Sequence, residues 1–437
     1  MSPEINNNHF IARAVRKIIS KTYTLCMAYA ILFKKLSVKI RYQEAFLSCD
    51  FGAADTVFFE NGELFTLPAG TAHFLEHKMF EQADGSDSFA EFDTLGGNAN
   101  AYTSYENTCF YFGATDNFYE NLEVLLRSVG SFHVSAASVE KERAIIGSEI
   151  KMYDDRPETA VSRGLTSAMY FEHPTVMPIS GTEESISLIT PELLGRVYKD
   201  FYLPQNLSLC VCGEADAQRV YELVGKYFTP SAGSRPETVI KPEGVHVKEE
   251  RRLLHLPVAT PLYAFGIKLP PDKADDIAAE KRAAAIRTAV SLAFGRASEF
   301  YCRYYSEGLL GERFWAGYSR MRGMAHITVS GSGKEPERVM ELALRELEER
   351  KKNFFTHGEF LREKRAAYAD CLSVFDSGED IASVFASDAR RGYDEYDCIE
   401  ILRSLTEEDV FRALCAIDIN NSAICIAENA KGKDKSL

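Results

Sequence analysis

The sequence predicts an α+β chain built from two duplicated α/β-sandwich units, each a helix layer on a mostly antiparallel sheet. Two ordered internal matches and one break in composition carry that expectation. In the first match, Thr190-Pro-Glu-Leu-Leu opens a helical stretch that passes through Tyr202-Leu-Pro-Gln-Asn206 into the apolar run Leu207–Val211. At a constant offset of 216, Thr406-Glu-Glu-Asp-Val opens another, leading into Asn420–Ile426. In the second match, Glu142…Glu149 and Glu363…Asp370 share a seven-residue spacing at the nearby offset of 221. The break is the Pro-, Gly- and Ser-bearing stretch Thr229–Pro236, followed by Pro242 and Gly244, residue types that punctuate a chain between elements. One match is within chance. Two in the same order indicate a repeated unit.

Local patterns support the individual elements. Thr190 and Thr406 suit N-caps, because a threonine hydroxyl can accept from the free amides of a first helical turn. Asn117–Ser131 and Glu335–Lys352 read as amphipathic helices, and Cys109–Phe112 and Ala325–Val329 as strands. Cys210 and Cys212 alternate within Leu207–Gly213, which places both on one face of a strand, where packing explains them better than metal binding.

The chain has 437 residues, enough for two or three domains. Its hydrophobic share of 46% and charged share of 26% are those of an ordinary soluble protein. The net charge of −14 argues against a nucleic-acid footprint. Charge is unevenly placed, however. Residues 1–46 carry eight basic side chains against Glu4 and Glu44, a balance of +6, so the remainder stands at −20. An acidic body of that kind favours cationic partners at modest salt. Ten cysteines with no CxxC read as buried, reduced thiols, which points to the cytoplasm. The longest apolar run, Thr22–Phe33, is too short to span a bilayer, and Lys34 and Lys35 follow it where a cleavable leader would have small residues. Membrane attachment is not expected.

Residues 73–77 read His-Phe-Leu-Glu-His. On a helix, positions i and i+4 share a face, so His73 and His77 can present ring nitrogens to one ion. Glu76 adjoins that face and is placed to take a proton from bound water rather than to ligate. Phe74 and Leu75 fall on the other side, where they can bury the helix. Zinc suits neutral imidazoles plus a carboxylate with a fourth position left to water, whose pKa it lowers to about 7. Chance produces such a pentapeptide in roughly one chain in a hundred of this length, so a third ligand is needed. Val139–Ile150 supplies a candidate helix with Glu142 and Glu149 two turns apart on one face. A solvated acidic face is the ordinary alternative. Yet Ile145, Ile146 and Ile150 mark part of this helix as buried, and a half-buried carboxylate needs a partner. One zinc ion per chain is the expected cofactor.

With these residues assembled, the chain resembles the insulinase/pitrilysin family, whose signature is this inverted motif followed downstream by a helix of the form E-R-x-x-x-x-x-E. Glu149 follows His77 by 72 residues, and Glu142-Arg143…Glu149 fits that helix. The resemblance implies His73, His77 and Glu149 as zinc ligands, Glu76 as general base, and Glu142 as a catalytic acid beside the metal. It implies a clam-shaped pair of insulinase-like units. Gly96–Ser104 looks like the family's edge strand, which pairs with an extended peptide and would assign Asn98, Asn100, Ala101, Tyr102 and Thr103 to substrate binding. The likeness continues through Gly181–Ser187 and Tyr202–Asn206 and covers roughly residues 50–430. His73–Glu81 and Glu149–Asp155 look most like the half-size bacterial members. The domains expected are a basic N-terminal segment (1–46), a zinc-binding catalytic domain (47–228), a linker (229–245) and a second homologous domain without metal ligands (246–437).

Two departures bear on function. Many active members carry an Arg and, seven residues later, a Tyr that bind substrate and steady the oxyanion. Matching on Glu307-Gly308-Leu309 puts Tyr304 and Gly311 there, while Arg303 has Leu310 seven residues on. Lost oxyanion donors typically cost about a hundred- to a thousandfold in rate. The resemblance implies that the pair can be lent by a homologous partner subunit that lacks the zinc motif; a homodimer is the other assembly expected, although a second copy of the chain would not supply the pair. The expected activity is therefore a zinc-dependent endopeptidase acting on peptides or unfolded segments with such a partner; the competing reading is a zinc-containing, non-proteolytic assembly or peptide-binding subunit. The second departure is the absence from residues 1–46 of the family's opening hairpin, so this stretch is an alternative element, a targeting sequence or an erroneous start.

Overall fold

The computed structural model describes residues 30–34, 42–60, 62–229, 233, 235–272, 275–389 and 391–429. Most of the basic segment, linker residues 230–232 and 234, and the closing Lys431–Lys435 lie outside the described residues.

The described chain folds as two compact units. The strands of the first are β1 (Ala30–Lys34), β2 (Gln43–Cys49), β3 (Val57–Glu60), β4 (Glu63–Thr66), β5 (Gly97–Thr103), β6 (Thr108–Ala114), β7 (Leu207–Cys212) and β8 (Glu237–Thr238). Those of the second are β9 (Arg251–His255), β10 (Leu262–Lys268), β11 (Trp315–Met321), β12 (Met324–Ser332) and β13 (Ser422–Glu428). The main sheets run β1-β7-β2-β6-β5 and, read from its other edge, β9-β13-β10-β12-β11. Slot for slot they are the same sheet. In both, the outermost of these pairings is parallel, β1 with β7 and β9 with β13, and the pairings onward to the opposite edge are antiparallel. The duplicated α+β architecture is therefore present, and part of the basic N-terminal stretch supplies the edge strand that β9 supplies to the second sheet. β2 also begins inside that stretch, at Gln43.

The repeat offsets recur in the helices. Pro191–Phe201 and Glu407–Cys415 are 216 residues apart, and both are capped as their threonines suggested: Thr190 accepts from the Leu193 amide and Thr406 from the Asp409 amide. Helices Ala136–Asp154 and His357–Ser373 are 221 apart, as are Pro157–Met169 and Gly378–Asp388. This last pair is exchanged. The first unit takes residues up to Ile146 with Ile179–Thr238 and Ser373–Arg391, and the second takes Gly147–Pro178, Val239–Leu372 and Gly392 onward. The domain limits expected from the sequence follow chain order, whereas packing swaps one segment each way.

Burial explains the swap. The central strands of the first sheet, β2, β6 and β7, are covered on both faces. Phe110 and Phe112 turn toward Phe80, Phe92 and Phe118 on the helical side. Phe46, Cys109, Cys210 and Cys212 turn the other way and are sealed by Ile381, Ala382 and Ala386 of the exchanged helix. In the second unit Val161, Leu165, Ala168 and Met169 seal Ala264, Ala423, Cys425 and Ala427. Gly164 is required there, since a Cβ would stand 2.4 Å from the Cys425 sulfur. No helix among the described residues is long and apolar enough to cross a membrane.

One acid is trapped by this packing. Glu44 on β2 is 5% exposed. It lies at the start of the exchanged helix, where a Cβ on Gly378 would sit 3.3 Å from its Cγ. Burial first, then the carboxylates of Glu379 and Asp380, push its carboxyl up to about 7. An acid raised in the folded state favours folding fully below its ordinary value of 4.5, and that advantage is lost as pH rises toward 7. Glu44→Gln should therefore stabilise the protein by about 1–3 kcal/mol at pH 8 and change little near pH 4, as read by urea titration at both. An equal gain at the two pH values would assign the effect to packing instead of ionisation.

Candidate metal centre

The motif lies on the helix Thr71–Lys78, and the chain enters it through a close backbone approach. Gly70 has φ 89°, and a Cβ on it would stand 2.5 Å from the Ser180 carbonyl oxygen. Gly181, at φ 72°, has the Ala69 carbonyl oxygen equally near, and Ser185 Oγ donates to that same oxygen at 2.8 Å. The Gly181–Ser187 stretch thus holds the start of the motif helix. Phe74 and Leu75 are fully buried, as their position between the histidines suggested, which turns His73, Glu76 and His77 away from the core.

The helix Ala136–Asp154 brings the two acids. The boundary between the compact units falls inside it, after Ile146, so Glu142 and Glu149 ride on one continuous helix. One potential ligand atom each from His73, His77 and Glu149 lies within 4.8 Å of the others; among the described residues this is the one such group. The imidazoles of His73 and His77 meet edge to face, with ring centroids 4.6 Å apart. His77 Nδ1 donates to Glu142 Oε1 at 3.0 Å, which leaves the Nε2 lone pair to a metal. Burial, reinforced by His77, lowers the His73 pKa to about 4, so this ring is a neutral ligand at any ordinary pH. For Glu142 burial works upward, but the hydrogen bond from His77 and the neighbouring Lys78 ammonium outweigh it and hold the carboxyl below its usual range. Glu142 therefore orients a ligand as a carboxylate. Two neutral imidazoles and one carboxylate fit zinc and leave a coordination position open.

Thr103 is the unforeseen contact. Its hydroxyl donates to Glu76 Oε2 at 2.5 Å, and so fixes the orientation of the carboxylate beside the triad. Strand alternation divides the five residues expected to meet substrate. Thr103 faces the motif helix, and Ala101 shares its parity. Tyr102 points the other way and packs against the cluster sealed by the exchanged helix. Asn98 and Asn100, on the same parity as Tyr102, are exposed. Asn100 also accepts from the neighbouring Ala101 amide at 2.8 Å. Among the described residues β5 pairs with β6 alone, so its outer edge is open.

Two further residues were missed. Lys78 is 4% exposed and paired with Glu81 and, at 3.6 Å, with Glu142 Oε2, so it helps hold the orienting acid. Arg143 donates to the carbonyls of Ile186 (3.1 Å) and Ile189 (2.7 Å), tying the acid-bearing helix to the segment that also grips the motif. Lys78 has no signal beyond its adjacency to a ligand, whereas Arg143 stands in the E-R-x-x-x-x-x-E pattern, which gave it no role. Ile145, read as buried, is 46% exposed, while Ile146 and Ile150 are buried as expected.

Comparison with known proteins agrees with this geometry. Residues 57–183 match the model of the insulinase family (peptidase family M16), and residues 189–367 match the peptidase M16 inactive domain. The uncharacterized zinc protease YmfH of Bacillus subtilis (strain 168) is 32% identical over 373 residues, covering 84% of this chain and 86% of that protein. The probable mitochondrial-processing peptidase subunit beta of Schizosaccharomyces pombe is 32% identical over 163 residues, 37% of this chain and 36% of that one. The crystal structure of an M16-like peptidase from Alicyclobacillus acidocaldarius matches with a TM-score of 0.86 at 27% identity, over 93% of this chain and 97% of that one. A paired-histidine helix beside an acid-bearing helix, on a duplicated α+β frame, defines the class as a metallopeptidase fold. The chain belongs to the insulinase family of peptidases, peptidase family M16.

Proposed function

We propose that this protein is a zinc-dependent endopeptidase that hydrolyses peptides or unfolded polypeptide segments together with a homologous partner subunit. The observation that supports it most is the convergence of His73, His77 and Glu149 within 4.8 Å, with Glu76 on the same helix as both histidines. When bound by these three side chains, zinc would polarise a substrate carbonyl and acidify a water. The remaining work belongs to the chain. Glu76 takes the proton of the attacking water and returns it to the leaving amine. Thr103 holds Glu76 in one orientation, and Glu142 with Lys78 holds His77. The open edge of β5 aligns an extended peptide by strand addition. Of the predicted strand residues, this reading keeps the backbone of Asn98–Thr103 as the substrate contact and reassigns the Thr103 side chain to positioning Glu76.

The partner is proposed from sequence. Tyr304 and Gly311 stand where a substrate-binding Arg and Tyr would serve, and one relative is named as a subunit of a processing peptidase. The nine free cysteines among the described residues suit a reducing compartment, so the cytoplasm is the proposed location. The test is metal removal. Peptide cleavage should disappear after chelation and return on adding about one equivalent of zinc per chain. Cleavage that survives complete metal removal would contradict the proposal.

A further inference from the structure

The segment Tyr202-Leu-Pro-Gln-Asn206 marks the repeat, and its asparagine has the same task in both units. The Asn206 carbonyl accepts from the Asp50 amide at 3.1 Å, and in the second unit the Asn421 carbonyl accepts from the Lys268 amide at 2.8 Å. The tyrosine has no such double. Between its matching helix and strand the second unit passes through Ile417 and Asp418, with no aromatic residue. The junction therefore folds without a tyrosine, and Tyr202 belongs to the unit that holds Glu76.

Tyr202 is 5% exposed, stacked on Tyr198 with ring centroids 5.4 Å apart and facing Phe110 at 6.2 Å. Phe110 and Thr108 share parity on β6, so the ring lies on the Thr108 side of the sheet. Thr108 stands opposite Thr103 in the β5–β6 register, with the two hydroxyls 3.4 Å apart. Thr108 donates to the Phe51 carbonyl at 2.9 Å, and Thr103 donates to Glu76. The Tyr202 hydroxyl is buried with no hydrogen-bond partner among the described residues. Burial pushes this phenol well up, Glu76 adds to the rise and the Thr108 hydroxyl opposes it, which puts both groups within its reach. An orphaned buried hydroxyl is costly and calls for a reason.

We propose that Tyr202 is a positioning residue for Glu76, acting through Thr108 and Thr103 to fix the carboxylate beside the metal centre. The proposal rests on the peptidase reading above. Thr108 is anchored to Phe51 and backs Thr103, which in turn holds Glu76. The Thr108 and Thr103 protons are committed to those acceptors. That of Tyr202 is not, and the Thr108 oxygen still has a lone pair to receive it.

Tyr202→Phe keeps the ring and deletes the hydroxyl. In zinc-loaded chain mixed with a homologue carrying the Arg and Tyr pair, it should lower kcat about ten- to hundredfold, with KM and zinc content unchanged. Thr103→Val should lose as much, and Thr103→Ser should keep most of the rate. Adding Tyr202→Phe to Thr103→Val should cost nothing more, because the two act in series. The urea midpoint of Tyr202→Phe should stay or rise, since the deleted hydroxyl has no partner. An unchanged kcat, a change in KM alone, losses that multiply in the double variant, or a lowered midpoint would overturn the proposal. The same link is read without turnover from zinc-loaded protein in urea. Glu76→Gln should shift the midpoint by different amounts in the wild-type and Tyr202→Phe chains. Equal shifts would overturn the proposal alone, whereas absence of cleavage from every preparation would overturn the peptidase reading.

Discussion

Glu76→Gln protein should hold zinc as the parent does and hydrolyse peptide about 10²- to 10⁴-fold more slowly, the usual range for loss of a positioned general base. Glu76 shares its helix with both histidines but is not among the three side chains whose atoms converge. It instead accepts the Thr103 hydroxyl at 2.5 Å. Glutamine keeps the size of the side chain and an oxygen for Thr103, so the helix, the strand and the metal ligands stay in place. Only the capacity to take a proton is lost. Metal analysis and peptide cleavage on the same preparation separate the two effects. Undiminished turnover would assign the base to another group, and loss of metal would make Glu76 a ligand.

Mixing the chain with a homologue that carries the Arg and Tyr pair should raise peptide cleavage by at least tenfold, and by up to about a thousandfold if the isolated chain lacks oxyanion donors altogether. The argument is electrostatic. Hydrolysis of an amide builds negative charge on the carbonyl oxygen, and in this sequence the two positions that would stabilise it hold Tyr304 and Gly311. Tyr304 is engaged elsewhere, with its ring 4.9 Å from that of Phe300 and covered by Arg303 at 5.3 Å. Arg303 itself is paired with Glu307 at 3.0 Å. The measurement is the cleavage rate of the mixture against the sum of the separate proteins. Full activity from a verified monomer would remove the need for a partner and direct attention to Arg303 or Tyr305. Metal binding and peptide binding without cleavage in any mixture would favour the assembly-subunit reading.

What the sequence disclosed was whatever spacing constrains. Residues three, four or seven apart share a helix face, and His73 and His77 are four apart while Glu142 and Glu149 are seven apart, so the four were visible as a set. The repeat was visible because helix caps demand particular residues: Thr190 and Thr406 mark the same junction twice. Contacts made at long range left no such trace. β1 exists through parallel pairing with β7, some 180 positions further along the chain, and its own residues read only as an apolar run among basic ones. The exchange of Pro157–Met169 for Gly378–Asp388 follows from which sheet face lacks a cover, a property that neither segment carries alone. Thr103 was grouped with four neighbours as a substrate strand, although alternation sends its side chain to Glu76 and that of Tyr102 into a core. Ile145 was read as buried because apolar helical residues usually are, but that rule runs only one way: apolar residues fill cores, yet much of a protein's surface is apolar too.

The central claim is that His73, His77 and Glu149 together hold zinc, and metal stoichiometry after exhaustive dialysis tests it most directly. Wild-type protein should retain close to one zinc per chain, and His73→Ala and Glu149→Gln should each retain a small fraction of that, since either change leaves two protein ligands where a stable site uses three or four. Circular dichroism on the same samples checks that the variants are folded. Full zinc occupancy in both folded variants would contradict the assignment.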